Sequence, residues 1–456
     1  MLGKDTICAI STAPGNGAIA IIRLSGDKAF DITKKIIAFK NNNVGLKHNT
    51  IAFADVYNDN NIIDEVLVSS FHAPNSYTGQ NIVEISCHGS NYIQQQILQL
   101  LINSGARLAK PGEFTLRAFL NKKLDLSQAE GVADLIATSS KASHNIAIKQ
   151  MRGGFSDEIS ILRGKLLKFT SLIELELDFG EEDVEFADRK QLMKLIVEIQ
   201  QKILSLISSF KLGNVIKNGV PVAIVGNPNV GKSTLLNVFL NEEKAIVSEI
   251  PGTTRDSIED TVNINGVNFR FIDTAGIRNS KNKIEKIGID RTFQNIGKAN
   301  IILIIVEPNH NIKQLLDKVK KAADKEAHIF VVVNKTDIYN KDVIKSSVAD
   351  IKEDITYISA KNKSNIDKLI SKITDAINLK QIDGNEFIVS NARHYEALQS
   401  ASKAIERTIE GINNNISGDF LSMDIREAIH YLGEITGEIT NDEVLGSIFE
   451  KFCIGK

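Results

Sequence analysis

Eight consecutive residues, Gly226-Asn227-Pro228-Asn229-Val230-Gly231-Lys232-Ser233, fit the pattern G-x-x-x-x-G-K-[ST], with Thr234 next. A turn of this kind wraps backbone amides around a phosphate, because its glycines reach conformations closed to other residues. Lys232 offsets phosphate charge, Ser233 offers its hydroxyl to Mg2+, and a following helix adds the positive end of its dipole. The flanks suit the motif: VPVAIV (220–225) reads as a strand and TLLNVFL (234–240) as a helix. Further along, Asp273-Thr274-Ala275-Gly276 ends the apolar run FRFI (269–272). A carboxylate there can hold a metal-bound water, and the glycine amide can face a γ-phosphate. Thr254, in GTTRD, lies between these motifs, where a threonine completes a Mg2+ shell.

Asn334-Lys335-Thr336-Asp337 follows IFVVV (329–333). The Asp337 carboxylate can accept from guanine N1 and from its exocyclic amine, a donor pair that adenine lacks. Ser359-Ala360-Lys361, after ITYI (355–358), brings a backbone contact to the guanine oxygen. Order and strand placement together argue for a GTP-binding domain of the Ras-like type and against an ATP-using P-loop enzyme. One position departs from that type. Ile277 stands where Ras-type enzymes carry the glutamine that orients the attacking water, and an aliphatic side chain cannot polarise water. Arg255 and Arg278 are candidates to bring charge to the γ-phosphate, and Glu285, in NKNKIEKIGIDR, is a carboxylate that a folded-over segment would carry to the site. Read alone, Glu285 is better described as a solvated helical glutamate.

Such motifs need a parallel sheet behind them. Residues 215–380 supply one, with nearly continuous aliphatic runs, IILIIV (301–306) among them, alternating with helical segments in an α/β pattern. Before it, residues 1–118 mix short β-rich runs, IAIIRL (19–24), EVLVSSF (65–71) and NIVEISC (81–87), with one helix near Tyr92–Asn103, an α+β pattern. Residues 119–214 and 381–456 are helical in periodicity, so the α/β stretch reads as an insertion into a helical domain. The 456 residues have 43% hydrophobic and 24% charged residues, a balance that excludes wholesale disorder, and lysine plus arginine (54) nearly cancels aspartate plus glutamate (56). No global basic field for nucleic acid exists, and RNA would need a local patch. Three scattered cysteines, the lack of a signal-peptide core and the absence of an apolar run of ~18 residues give the expectation of a cytoplasmic protein with no membrane span.

GNPNVGKST, GTTRD, DTAGIR, NKTD, the block KPGEFTLRAFLNKKLDLSQAEGVADLI (110–136) and the tail Cys453-Ile454-Gly455-Lys456 together resemble the MnmE (TrmE) family of bacterial and organellar tRNA modification GTPases. The resemblance runs from Asp5 to Lys456. It departs at Ser90 and Lys122, where glycine is common in the family. It implies three domains: an α+β folate-binding and dimerising N-terminal domain (1–118), a helical domain split in sequence (119–214 and 381–456, ending in the CIGK tail), and an inserted P-loop G domain (215–380).

The resemblance also implies K+-stimulated GTP hydrolysis. Asn229 would ligate K+ with the backbone of Ser248, Ile250 and Thr253, in a segment Ser248-Glu249-Ile250-Pro251-Gly252-Thr253-Thr254 that borders the nucleotide. The cation would stand in for an arginine finger, Lys232 and Thr254 would serve catalysis, and Glu285 would position water. Folate contacts fall on Arg23, Glu84, Lys123 and Lys456, where cations suit a folate carboxylate and a carboxylate suits pterin N–H groups. Cys453 lies beside the implied one-carbon donor, a 5-formyl- or methylene-tetrahydrofolate. The implied reaction installs an aminomethyl or carboxymethylaminomethyl group on carbon 5 of the wobble uridine of certain tRNAs. An FAD-containing partner, MnmG (GidA), would share it, and the homodimer would join it in a heterotetramer or larger assembly. The rival expectation is a GTP-dependent ribosome-assembly switch with no one-carbon chemistry.

Overall fold

The computed structural model describes residues 5–40, 45–178, 189–242, 260–272, 295–308, 312–349, 351–377 and 387–455. The chain forms two compact units, one from residues 1–134, 150–188 and 411–456, the other from 135–149 and 189–410.

The first unit is organised on a seven-stranded sheet of β1 (Ile7–Ile10), β2 (Ile19–Ser25), β3 (Ile37–Phe39), β4 (Thr50–Asn58), β5 (Asn61–Phe71), β6 (Ile82–His88) and β7 (Arg107–Leu108). The spatial order is β3-β4-β5-β6-β2-β1-β7, antiparallel except for the β1–β7 pair. Alternation along the strands drives Ile22 and Leu24 of β2, Val66 and Val68 of β5, and Val83 and Ile85 of β6 to one face. The helices α1 (Ala29–Ile36) and α2 (Asn91–Asn103) cover that face with Ile32, Ile97 and Leu101. On the opposite face, Ile7 and Ala9 pack with Phe114 of α3 (Glu113–Leu120).

Further helices of the chain are α4 (Leu126–Ala137), α5 (Lys141–Met151), α6 (Gly154–Asp178) and α7 (Arg189–Asn218). The predicted helix near 92–103 and the three predicted strands are present, each within a few residues. The sequence reading passed over β1, β3, β4, β7 and α1; β3 and β7, at three and two residues, are too short to show a pattern.

The second unit holds a six-stranded sheet: β8 (Val220–Val225), β9 (Asp260–Ile264), β10 (Val267–Ile272), β11 (Ile301–Val306), β12 (His328–Val333) and β13 (Asp354–Tyr357). Its order is β13-β12-β11-β8-β10-β9, and only the β9–β10 hairpin is antiparallel. Every residue of β8 and β11 is buried, as a strand covered on both faces requires. One face sends Val222, Ile224 and Leu303 against Leu235 and Phe239 of α8 (Lys232–Glu242). The other sends Ala223, Ile304 and Val331 against Leu316 and Val319 of α9 (Ile312–Ala322) and Ile344 of α10 (Lys341–Ser347).

The remaining helices are α11 (Ile366–Asp375), α12 (Ala392–Asn413), α13 (Gly418–Thr436) and α14 (Asp442–Phe449). Gln200 of α7 reaches Ser402 and Glu406 of α12, and Phe210 stacks on Tyr395 with ring centroids 4.2 Å apart. In the first unit α6 packs along α13. Among the described residues, no helix is long and apolar enough to cross a membrane.

Candidate functional site

The turn after β8 has the backbone that its glycines permit. Gly226, Asn229 and Gly231 all have positive φ, at 157°, 64° and 98°. A Cβ at Gly226 would stand 2.2 Å from Ile305 O, and one at Gly231 would stand 2.2 Å from Asn334 Nδ2, so neither position accepts a larger residue without rebuilding the loop. Val230 is buried and pins the loop, whereas Asn229, Ser233 and Thr234 are exposed. Lys232 bends back so that Nζ donates to Gly226 O and Asn227 O, each at 2.7 Å, and burial lowers its pKa. The turn thus presents amides, an ammonium and two hydroxyls at the N-terminus of α8, a cradle suited to a polyphosphate with its metal ion.

Asn334 joins this turn to two others. Its amide is buried: Nδ2 donates to Val230 O at 2.8 Å, and Oδ1 accepts from Ala360 N at 2.9 Å. The predicted phosphate loop, the loop after β12 and the Ser359-Ala360-Lys361 turn are therefore tied through one side chain. Thr336 adds bonds to Ile358 O from its amide (3.2 Å) and its hydroxyl (3.0 Å). Asp337 is exposed between them. The Ser359 hydroxyl holds its carboxyl below the usual carboxylate range, with Lys361 and Lys335 adding to the effect. The Ser359 turn is closed by paired backbone bonds to Ser364, and Lys361 at its tip is exposed.

Ser248, Glu249, Ile250, Pro251, Gly252, Thr253, Thr254, Arg255, Asp273, Thr274, Ala275, Gly276, Ile277, Arg278, Glu285 and Lys456 lie outside the described residues.

A second constellation sits on the first unit's sheet. The β2–β6 register sets Arg23 directly opposite Glu84. Arg23 Nε donates to Glu84 Oε1 at 2.8 Å, and Nη2 lies at the same distance from that oxygen. The guanidinium carbon also lies 5.6 Å from the Tyr77 ring centroid and 5.7 Å from that of Phe114, in cation–π range. Tyr77 is fixed by a 2.9 Å bond between its hydroxyl and that of Thr115. The C-terminal tail returns here: Gly455 O accepts from Ser11 Oγ at 3.0 Å and from Arg23 Nη1 at 3.5 Å. Gly455 has φ 97°, and a Cβ on it would stand 2.3 Å from Ile10 O.

Lys123 is exposed and donates to Pro74 O at 3.1 Å, while neighbouring Asn121 donates to Thr78 O at 2.7 Å. Both grip the loop that carries Tyr77. Lys122, at a position where glycine is expected, has φ 57°, the left-handed conformation that favours glycine. Cys453 is exposed, and its carbonyl accepts from Gly112 N at 3.4 Å. Sequence reasoning passed over Tyr77, Phe114, Ser11 and Gly455. Phe114 and Gly455 stood inside noted blocks, but only folding brings them to Arg23. Among the described residues there is no group of three or more His, Cys, Asp or Glu placed to hold a metal ion.

Comparison with known proteins gives two family matches. The family described as GTP-binding protein TrmE N-terminus matches residues 6–123, and the family described as MnmE helical domain matches residues 126–453. The tRNA modification GTPase MnmE of Bacteroides thetaiotaomicron is 54% identical over the whole of both chains. That of Flavobacterium johnsoniae is 50% identical, again over the whole of both. That of Cytophaga hutchinsonii is 50% identical over 99% of this chain and 98% of its own. Half of all positions shared from end to end, under two family descriptions that meet near residue 125, mean that the chain belongs to the MnmE (TrmE) family of tRNA modification GTPases.

Proposed function

We propose that the protein is a K+-stimulated GTP hydrolase acting in modification of carbon 5 of the wobble uridine of certain tRNAs. It works with a folate one-carbon donor, 5-formyl- or methylene-tetrahydrofolate, and an FAD-containing partner of the MnmG type. The observation that carries the GTP half is the buried Asn334 amide, which fixes a phosphate loop, a loop bearing an exposed carboxylate and the Ser359 turn in one arrangement. Residues 215–380 are the P-loop G domain in this reading, inserted between helical segments 119–214 and 381–456 and preceded by a folate-binding, dimerising domain at 1–118.

Asn229, Val230, Gly231, Lys232, Ser233 and Thr234 hold the phosphates, and Asp337 reads guanine with Asn334, Lys335, Ser359, Ala360 and Lys361 around the base. Ser248–Thr254 and Asp273–Gly276 complete the nucleotide contacts. Ser233 and Thr254 hold Mg2+. Asn229 and the backbone of Ser248, Ile250 and Thr253 hold K+, which would supply positive charge at the γ-phosphate. The donor types fit, since an exposed Asn229 side chain beside the cradle presents an amide oxygen to a hard monovalent cation. Lys232 offsets charge and Glu285 positions water where Ile277 cannot.

Folate is assigned to Arg23, Glu84, Lys123 and Lys456. A guanidinium against two aromatic rings and a partly buried carboxylate make a reasonable reader of a flat, polar heterocycle with a carboxylate tail. Cys453 stands beside that set. A cytoplasmic homodimer, assembled with the partner protein and tRNA, is the proposed working form.

Two measurements on the full chain test the reading. GTP turnover at equal ionic strength should be faster in K+ than in Na+, and Asn229→Ala should remove the difference while nucleotide remains bound. Nucleoside mass spectrometry of tRNA from cells carrying only the Arg23→Ala chain should show loss of the wobble modification with K+-stimulated hydrolysis retained. Normal modification in those cells would favour a GTP-dependent assembly switch instead.

A further inference from the structure

Asp337 is exposed, yet its neighbours in the chain are tethered: Asn334 to Val230 and Ala360, Thr336 to Ile358. The Ser359 hydroxyl bonds the Asp337 carboxyl itself, and two further tethers on the loop end on Glu307. β11 and β12 are parallel neighbours with Val306 opposite Val333, so Glu307 emerges beside the start of the Asn334–Asn340 loop. Glu307 Oε1 lies 2.5 Å from Lys335 Nζ, and Oε2 accepts from the Tyr339 hydroxyl at 3.0 Å. The Glu307 side chain is 12% exposed and that of Lys335 32%, so the ion pair is partly shielded from solvent. Lys335 has φ 63°, a conformation uncommon for a side-chain-bearing residue and held where surrounding contacts over-determine it. One carboxylate therefore grips the residue two before Asp337 and the residue two after it.

The geometry points to Glu307 as a positioning residue for base selection: by clamping Lys335 and Tyr339 it fixes the loop so that Asp337 meets both guanine donors at once. This rests on the guanine-site reading of Asp337. A carboxylate accepting two parallel N–H bonds requires direction as well as proximity. A looser loop still allows one bond and forfeits the second. Glu307 does not touch the base, so its influence should appear in discrimination between bases that offer two donors and one.

The experiment uses the full-length protein and calorimetric titration with GDP and with IDP, whose hypoxanthine keeps N1–H and lacks the exocyclic amine. The intact protein should prefer GDP by about tenfold or more, the worth of a hydrogen bond to a charged group. Glu307→Gln keeps the shape and removes the negative charge that faces Lys335; it should weaken GDP by about tenfold and IDP by only about threefold, narrowing the preference. Tyr339→Phe deletes one hydroxyl, should narrow the preference by about twofold, and serves alone if the Gln variant does not fold. Equal loss for both nucleotides, or an unchanged preference in whichever variants fold, would overturn the positioning role. Asp337→Asn separates the two readings: if it shifts preference toward xanthosine diphosphate while Glu307→Gln changes no ratio, only the positioning role falls. If Asp337→Asn leaves GDP affinity unchanged, the guanine site itself is misassigned.

Discussion

The loops around Asn334 and the cluster around Arg23 gather functional groups in opposite ways. At the ends of β8 and β12, each contributing segment is a short contiguous motif, and a parallel sheet with both faces covered delivers the segments to one edge. On the antiparallel sheet of the first unit, single residues from β2, β6, the Tyr77 loop, α3 and the chain's last turn meet over a strand face. The first arrangement places backbone amides and needs glycines; the second places side chains and needs register. Damage should therefore spread through the loops as lost geometry and stay local on the sheet.

The largest effect should come from Asn334→Ala. It leaves Val230 O and Ala360 N without the partner now buried with them, at about 1–3 kcal/mol for each orphaned group. Chemical denaturation should report a loss of about 2–5 kcal/mol in the second unit, with nucleotide binding abolished. A loss below about 1 kcal/mol would mean that the three loops are held independently, and the contrast with the sheet cluster would fail.

Arg23→Ala should cost less. The pair with Glu84 is partly solvated, 19% and 23% exposed, and solvent screening keeps its worth to about 1 kcal/mol, with lost packing on Tyr77 and Phe114 adding a similar amount. Thermal unfolding would show a shift of a few degrees, and a labelled tetrahydrofolate would no longer bind. A large global destabilisation would show that this cluster is structural rather than a ligand site.

A pH series sharpens the comparison, because the first unit contains a buried ion network around Glu113. Glu113 accepts from Arg107 at 2.6 Å, from Arg117 at 2.9 Å and from Lys110 N at 2.9 Å. Burial pushes its carboxyl pKa up, but those bonds outweigh burial and leave it below the usual glutamate range; Asp5, bonded to Arg107 and Arg117, is lowered as well. Stability from a depressed carboxyl is present above its unfolded value of about 4.3 and is lost as pH falls through the folded value. The intact protein should therefore lose stability more steeply than Glu113→Gln as the pH drops below that range. Parallel curves would remove Glu113 from the acid response.

The smallest effect concerns thiols. Cys8 and Cys87 are buried and pushed up to about 11, chiefly by burial, while Cys453 is exposed. Alkylation of the native chain at pH 8 should modify one thiol per chain, with three accessible after unfolding. Prompt reaction of a second thiol would mean that the β1–β2–β6 layer opens far more readily than its burial indicates.

Much of the nucleotide half was legible because chemistry and topology coincide there. IILIIV and VPVAIV read as strands and are β11 and β8 to the residue, and the motifs beginning at Gly226 and Asn334 follow the ends of β8 and β12. Glu307 was not legible: a glutamate after an apolar strand is commonplace, and its partners Lys335 and Tyr339 come close only through the pairing of β11 with β12. The sheet cluster was legible only through family resemblance. No local pattern links Arg23 to Glu84, 61 positions apart, or either to Gly455, because antiparallel register and a returning tail create those contacts. Lys122 marks a third kind of gap: its left-handed backbone follows from loop geometry and not from a lysine's preferences.

The Asn334 amide has its donor and acceptor at opposite corners, and each is committed to a different loop. In the proposed site the two ends of a bound nucleotide would therefore be mechanically in series, with strain at one end felt at the other. Pyrophosphate and guanosine, bound separately, should each meet a half-settled site, and their binding free energies should not sum to that of GDP.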